Sequence, residues 1–242
     1  MGFSDENLVE TDMSTARPPS VQLRPFTRSD LPIVEPWFDD DETSRYLGGR
    51  DWPGRMLELA AQVIGTEFRG AIQTGSYRFL ANRDDCPVGL IDCGVFDRWT
   101  EYGGEDASEP TVREEPHLPT GSVTYVTNPE LRGQGLGRSM IRALVAWPEL
   151  SEVRLFEAGV EPENIASIQC LLAAGFRPYR SKPDYEGMLY FTLLRRPRTL
   201  LIPASRLSER QWIVTTKSRS LGESQDPWRH PMLCLVHSLV PS

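Results

Sequence analysis

The sequence is poor in the residues that build metal and disulfide frameworks. Four cysteines, Cys86, Cys93, Cys170 and Cys234, stand apart with no C-x-x-C pair among them. The three histidines, His117, His230 and His237, are also scattered. Zinc sites need ligands clustered at short spacings, so no metal is expected, and the thiols read as reduced and structural. Any apolar run of roughly 18 residues, the length that crosses a bilayer, is absent too, so no membrane partner is expected. The first 20 residues are polar and lack the apolar core of a secretory leader, which makes the cytoplasm the expected compartment. Basic charge is short as well: 26 Lys and Arg face 34 Asp and Glu, a net of −8. Such a chain repels phosphate backbones, and nucleic acid is not an expected partner.

What is present reads as one domain with extensions at both ends. Residues 1–20 have no hydrophobic period and are expected to form a disordered arm. Val21–Arg24 alternates like a strand, and Leu31, Val34, Trp37 and Phe38 follow at helical spacing behind a Ser29-Asp30 cap. A turn cluster at Gly48–Gly54 precedes a second stripe, Met56 to Ile64, read as a helix continuing toward Phe68. Tyr77–Ala81 and Val88–Phe96 read as a β-hairpin. Residues 97–119 then break all periodicity and hold seven carboxylates, so an acidic, unstructured insertion is expected there. Order returns with a strand at Gly121–Thr127, a glycine loop, a helix to about Trp147 and a strand at Val153–Val160. A helix from Pro162 to a Gly175 cap and a final hairpin turning between Asp184 and Gly187 complete the domain. Residues 197–242 carry six basic and three acidic side chains without a clear period, and are read as an irregular tail.

The glycine loop, Arg132-Gly133-Gln134-Gly135-Leu136-Gly137-Arg138, holds the strongest chemical signal. Strand, glycine turn and helix together make an anion site. The first amides of a helix have no internal acceptor, the dipole there is worth roughly +0.5 charge, and glycines clear side chains from the approach. Arg132 and Arg138 add charge at either end. A nucleoside-triphosphate loop needs Lys before its Ser or Thr, and here Gly137 is followed by Arg138. The dinucleotide fingerprint counted from Gly133 and Gly135 needs a third glycine where Arg138 stands.

The same residues resemble the Arg/Gln-x-x-Gly-x-Gly/Ala signature of the GNAT acetyltransferase superfamily, and Y-V-T-N-P-E-L before them resembles its fourth strand. V-E-P-E-N-I-A-S-I-Q-C-L-L-A-A-G-F, Val160 to Phe176, resembles the family's Asn-containing helix. The resemblance covers about Val21 to Arg196. It implies an α/β (α+β) domain over 21–196: a mixed, mostly antiparallel twisted sheet of six to seven strands, helices on both faces, and splayed fourth and fifth strands. It implies acetyl-CoA as co-substrate. The diphosphate would lie on Arg132, Gly133, Gln134, Gly135, Leu136, Gly137 and Arg138, the pantetheine arm beside Val126 and Thr127, and Asn164 near the pantetheine or thioester. Family members are often dimers, which leaves a homodimer open.

The implied reaction is direct attack of an amine on the thioester. The amine must lose a proton, an oxyanion needs a donor such as a backbone N–H near Val126, and a thiolate departs. Asp92, Asp97, Tyr125 and Glu157 are the candidate bases, with Asp92, Tyr125 and Glu157 carried forward as catalytic candidates. Asp92 in G-L-I-D-C-G has an equal structural explanation, a pairing with Arg on a core strand. Many family members place a tyrosine seven residues after the Asn to protonate the thiolate. Here that residue is Leu171, so the usual acid is absent. A small cationic amine is the expected acceptor, gathered by the acidic insertion with Trp99 and Tyr102, loosely similar to aminoglycoside acetyltransferases. A peptide or protein N-terminus, as in the ribosomal-protein branch, and a non-catalytic acyl-CoA-binding module are the alternatives.

Overall fold

A computed structural model describes residues 20–60, 62–103, 111–115, 117–184 and 186–195, with only the backbone of 101–103 and 111–115. The arm 1–19, the tail and the side chains of Glu101, Tyr102, Glu105, Asp106, Glu109, Glu114 and Glu115 lie outside the described residues. In chain order the elements are β1 (Gln22–Pro25), α1 (Leu31–Val34), α2 (Asp41–Leu47), α3 (Trp52–Leu59), β2 (Glu67–Phe68), β3 (Ala71–Arg83) and β4 (Cys86–Phe96). Then follow β5 (Trp99–Gly103), β6 (Thr111–Glu115), β7 (Thr120–Thr127), α4 (Leu136–Val145), β8 (Leu155–Val160), α5 (Ile165–Ala174), β9 (Arg177–Pro178) and β10 (Leu189–Leu194).

The main sheet has the order β1-β3-β4-β7-β8-β10-β9, with β2 added beside β3. Every neighbouring pair is antiparallel except β7 with β8. Alternation along the central strands feeds two cores. Phe79, Ile91, Val123 and Phe156 face α4 and α5, where they meet Met140, Leu144, Leu171 and Phe176. The intervening Leu80, Leu90 and Val126 face the other way, onto Val34, Phe38, Trp52 and Met56 of the N-terminal helices. Coverage of both faces explains why Val88–Ile91 is an unbroken buried run rather than an alternating one.

Three local expectations are corrected. The stripe from Leu31 to Phe38 is not one helix: a single α turn at Leu31–Val34 passes into a 3-10 turn at Glu35–Asp39. Pro36 has no N–H to continue the α ladder. The helix after Met56 ends at Leu59 and does not reach Phe68. The Gly65 N–H donates to Gln73 O at 2.8 Å and so already belongs to the sheet side of the chain. Glu67–Phe68 then pairs with the start of β3. The acidic insertion is not unstructured either: β5 and β6 form an antiparallel hairpin in which Trp99 opposes Glu115 and Gly103 opposes Thr111. Alternation is a weak signal there because a two-stranded ribbon off the main sheet need not present a core face.

Gly137 marks where α4 meets its neighbours most closely. A Cβ at this position would lie 2.8 Å from Cys170 Sγ of α5 and 3.3 Å from the Tyr125 ring of β7. Gly137→Ala is therefore expected to lose about 1–3 kcal/mol of stability through overpacking. Cys170→Ala removes the nearer obstacle, so the double variant should recover part of that loss in a denaturant-unfolding cycle. Strict additivity of the two single variants would contradict this contact.

Candidate active site

β7 and β8 pair only where Thr120–Ser122 runs beside Leu155–Glu157. Past Ser122, β7 continues against β4 as far as Thr127, while β8 turns to β10 alone. The divergence leaves one edge of Val123–Thr127 without a strand partner among the described residues, and opens a cleft of about 810 Å³. The walls of this cleft are the open edge of β7, the loop into α4, the end of β8 and the facing side of α5. Val126, Thr127, Arg132, Gly133, Gln134, Gly135, Leu136, Gly137, Arg138 and Asn164 all line it.

The loop is built to expose amides. Gly133 and Gly135 take φ of 78° and 73°, the left-handed conformation that costs glycine nothing. Gly135 is the N-cap of α4, and the first loop-to-helix bond is Ser139 N–H to Gly135 O at 3.2 Å. The N–H groups from Gly133 to Arg138 have no acceptor within the protein among the described residues. Arg138 is half-buried in the cleft wall, and its Nε has no partner among the described residues. Six open amides beside a guanidinium suit a diphosphate.

Residues 20–177 match the family described as the acetyltransferase (GNAT) domain. The chain belongs to this family. It is an acetyl-CoA-dependent N-acetyltransferase. An uncharacterised N-acetyltransferase of Bacillus subtilis (strain 168), YfmK, is 23% identical over 168 residues, spanning 68% of this chain and 90% of the relative. Among solved structures, aminoglycoside acetyltransferase AAC(6')-Ib in complex with ribostamycin and coenzyme A superposes with a TM-score of 0.53 at 21% identity, over 75% of this chain and 98% of that one. An acetyltransferase from Thermus thermophilus gives 0.50 at 20% identity, over 73% and 97%. These likenesses show a shared fold. Among the described residues, no helix of the acetyltransferase is long and apolar enough to cross a membrane, and no cluster of ligands suits a metal.

The signature residues are not equivalent in the acetyltransferase. Arg132 is gripped from α2: its guanidinium donates to Asp40 Oδ2 at 2.5 Å and Thr43 Oγ1 at 2.7 Å, and it lies 2.9 Å from Glu42 Oε2. Asp40 also accepts the Thr43 N–H as the N-cap of α2. The Arg132 bond, with help from Thr43, holds the Asp40 carboxyl below its ordinary range. Gln134 Oε1 accepts from Arg83 Nη1 at 3.0 Å, tying the loop to the end of β3. Asn164 Oδ1 accepts the Ser167 N–H at 3.0 Å and caps α5. Leu171, where the family's tyrosine would stand, is wholly buried in the helix-side core.

A second, narrower cavity of about 60 Å³ lies on the other side of the divergence. Glu157, Ser122 on β7 and Thr192 on β10 sit directly opposite one another across three strands and line it together. Ser122 and Met188 line both spaces, so the larger cleft and this cavity adjoin where β7 and β8 part. Burial pushes the Glu157 carboxyl up to about 7, against an opposing pull from Arg69. Arg69 occupies a left-handed position, φ 51°, in the two-residue turn between β2 and β3. Its guanidinium reaches Glu186 at 2.6 Å and the Tyr190 hydroxyl at 3.4 Å.

The other candidate bases fall elsewhere. Asp92 lines neither cavity; it is buried between strands with Arg78 Nε 3.9 Å away, and burial raises its carboxyl to about 6. Asp97 also lines neither; it accepts the Ile72 N–H at 2.9 Å and pairs with Arg98, the bond that holds its carboxyl low. Tyr125 points to the helix side of the sheet, its hydroxyl 2.8 Å from Ser167 Oγ, and burial pushes the phenol well above its usual range.

Sequence reasoning missed the carboxylate grip on Arg132 and the place of Arg69. The run Asp39-Asp40-Asp41-Glu42-Thr43 is a helix-start signal that a stricter search for caps would find, and Arg69-Gly70 is a turn dipeptide. Asp40 and Glu42 put negative charge beside the cleft and occupy a cation suited to phosphate. The double variant Asp40→Asn/Glu42→Gln is expected to bind CoA about 2–10-fold more tightly at low salt, one to two freed charge contacts. Calorimetric titration showing equal or weaker binding would mean that the carboxylates aim Arg132 instead of withholding it.

Proposed function

We propose that this acetyltransferase acetylates the primary amine of a small cationic molecule, with Glu157 as the general base. One observation carries the reading: Glu157 lies in a cavity that adjoins the cofactor cleft through the divergence of β7 and β8. Bound acetyl-CoA supplies the activated acetyl group. The open amides of Gly133–Arg138, with Arg138, hold the diphosphate, and the free edge of Val123–Thr127 pairs with the pantetheine arm as an added strand would. A backbone N–H near Val126 stabilises negative charge developing on the acetyl oxygen.

An amine of pKa near ~10 arrives as an ammonium and must be deprotonated before attack. Glu157 is suited to this, because a carboxyl raised to about 7 is about half ionised at neutral pH and a stronger base than an ordinary one. Asp92 is a structural partner of Arg78 in this reading. Tyr125 is too weak an acid to serve as a base near neutrality, and it stays protonated on the cofactor side. The side chain at 171 offers no proton, so the departing sulfur receives none from that position.

The test is a pH profile of thiol release with a panel of primary amines. kcat/KM of the wild type should rise through about pH 7, as Glu157 ionises. Glu157→Gln should lose that limb and roughly 10²–10⁴-fold in rate, while Asp92→Asn keeps the limb. Stability supplies a second readout. A carboxyl raised in the folded state stabilises fully below its unfolded value near ~4.3, and that contribution is lost as pH rises through about 7. Glu157→Gln should therefore flatten the fall in Tm between pH 5 and 8. An unchanged profile in the variant would remove Glu157 from the chemistry.

A further inference from the structure

We propose that Arg69 is a positioning residue for the acetyl transfer: clasped to Glu186 and Tyr190 at the wall of the Glu157 cavity, its guanidinium holds Glu157 as the carboxylate that takes the amine's proton. The proposal rests on the reading of Glu157 as the base and names the residue through which that base is set.

Arginine does not suit the turn it occupies. Phe68 pairs with Ala71, so Arg69-Gly70 is a two-residue hairpin loop, and its residues take φ of 51° and 82°. Gly, Asn or Asp is favoured at the first position of such a loop, because a Cβ there crowds the following carbonyl. What the arginine supplies is reach. In the main sheet, β4, β7 and β8 lie between β3, which this turn begins, and β10. The guanidinium nonetheless meets the far side. Nη2 donates to Glu186 Oε2 at 2.6 Å, just before β10, and Nη1 donates to the Tyr190 hydroxyl at 3.4 Å, on β10 itself. Glu186 is held in its turn, since its N–H and that of Met188 both donate to Asp184 Oδ1 at 2.9 Å. Arg69, Tyr190 and Glu157 line one cavity.

As a fastener alone the clasp is poorly chosen. The side chains of Arg69 and Glu186 are only 13% and 22% exposed, so both charges have lost most of their water. Burial works against the guanidinium's charge, and Tyr190 and Glu186 together more than offset it. Apolar side chains could join the same two segments without that desolvation and with equal or greater stability. They would not place a positive charge in the wall that Glu157 faces. Burial drives the Glu157 carboxyl toward its protonated form, and Arg69 pulls it back. The Phe68 ring, 5.0 Å from the guanidinium, helps to keep water from screening that pull. Of the other charged groups in the lining, Arg98 pairs with Asp97, Arg180 lies over the Tyr179 ring at 5.7 Å, and Lys182 and Asp184 stand in the segment before β10. Burial raises the Tyr190 phenol, so it stays neutral as the acceptor of Arg69. Through the sheet, the buried Cys93 thiol feels both Glu157 and Arg195.

The experiment follows the Glu157 carboxyl in the full chain by NMR of glutamate-labelled protein, with Glu157→Gln to assign the signal. Arg69→Asn suits the left-handed turn while removing the charge, so the variant should fold, with Tm as the check. It should move the Glu157 titration upward by about one pH unit. Glu186→Gln removes a counter-charge from the guanidinium and should move the titration downward. In thiol release with the best amine of the panel, Arg69→Asn should lose about fivefold in kcat/KM at pH 7 and recover the wild-type value near about pH 9, which structural damage would not do. A titration unmoved by Arg69→Asn, or moved the same way by both variants, would overturn the role of the clasp. A pH limb that Glu157→Gln abolishes and Arg69→Asn leaves in place would keep the base and overturn Arg69. Titrations that move as expected, beside a turnover profile with no limb, would uphold the clasp and overturn Glu157 as the base.

Discussion

Everything in this protein's site depends on how soon two parallel strands part. β7 and β8 share three residue pairs and then diverge. Had they paired along their full length, the amides of Val123–Thr127 would be spent within the sheet. Each backbone N–H and C=O needs a partner, and an edge left open inside a fold is an invitation to one. The sheet tolerates the gap because β4 secures the other edge of β7 from Thr120 to Thr127, while β10 secures β8 along its whole length. The same parting puts Ser122 and Glu157 at the last pair before the gap, where the two cavities adjoin.

The row of open amides at the start of α4 is a second consequence of close approach. Gly137 lets α4 sit against Cys170 and Tyr125, and this sets the start of α4 beside the open edge of β7. Gly133 and Gly135 then turn the chain so that six successive amides are left without internal acceptors among the described residues. The two arginines flanking the loop differ in kind. Arg132 knits the loop to α2 through Asp40 and Glu42, whereas Arg138 stays in the cleft wall, its Nε without a partner among the described residues. A charged signature residue can thus be structural in the same loop whose open amides we propose for the diphosphate.

Much of this was legible in the sequence. The order of most strands and helices follows from hydrophobic period and turn residues, and the open loop from Gly133–Arg138, because these signals act locally; the divergence was expected only through the resemblance to the acetyltransferase family. Residues that act across the chain were harder to read. Glu157 and Asp92 look alike as candidate bases in the sequence, since only the register shows that Glu157 opposes Ser122 at the gap while Asp92 opposes Arg78. The β5–β6 hairpin was hidden because a ribbon off the main sheet needs no alternating core face. Trp99 was noticed for its aromaticity, but its contact with Tyr179 depends on two segments far apart in the chain.

The central claim is that the parted strands and the glycine loop together receive acetyl-CoA. Amide hydrogen exchange, with and without CoA, tests it most directly. The account predicts slowed exchange on binding at Gly133–Arg138 and along Val123–Thr127, with little change at Thr120–Ser122, which is already paired with β8. Protection confined to other parts of the sheet, or none at the loop while CoA is bound, would contradict it.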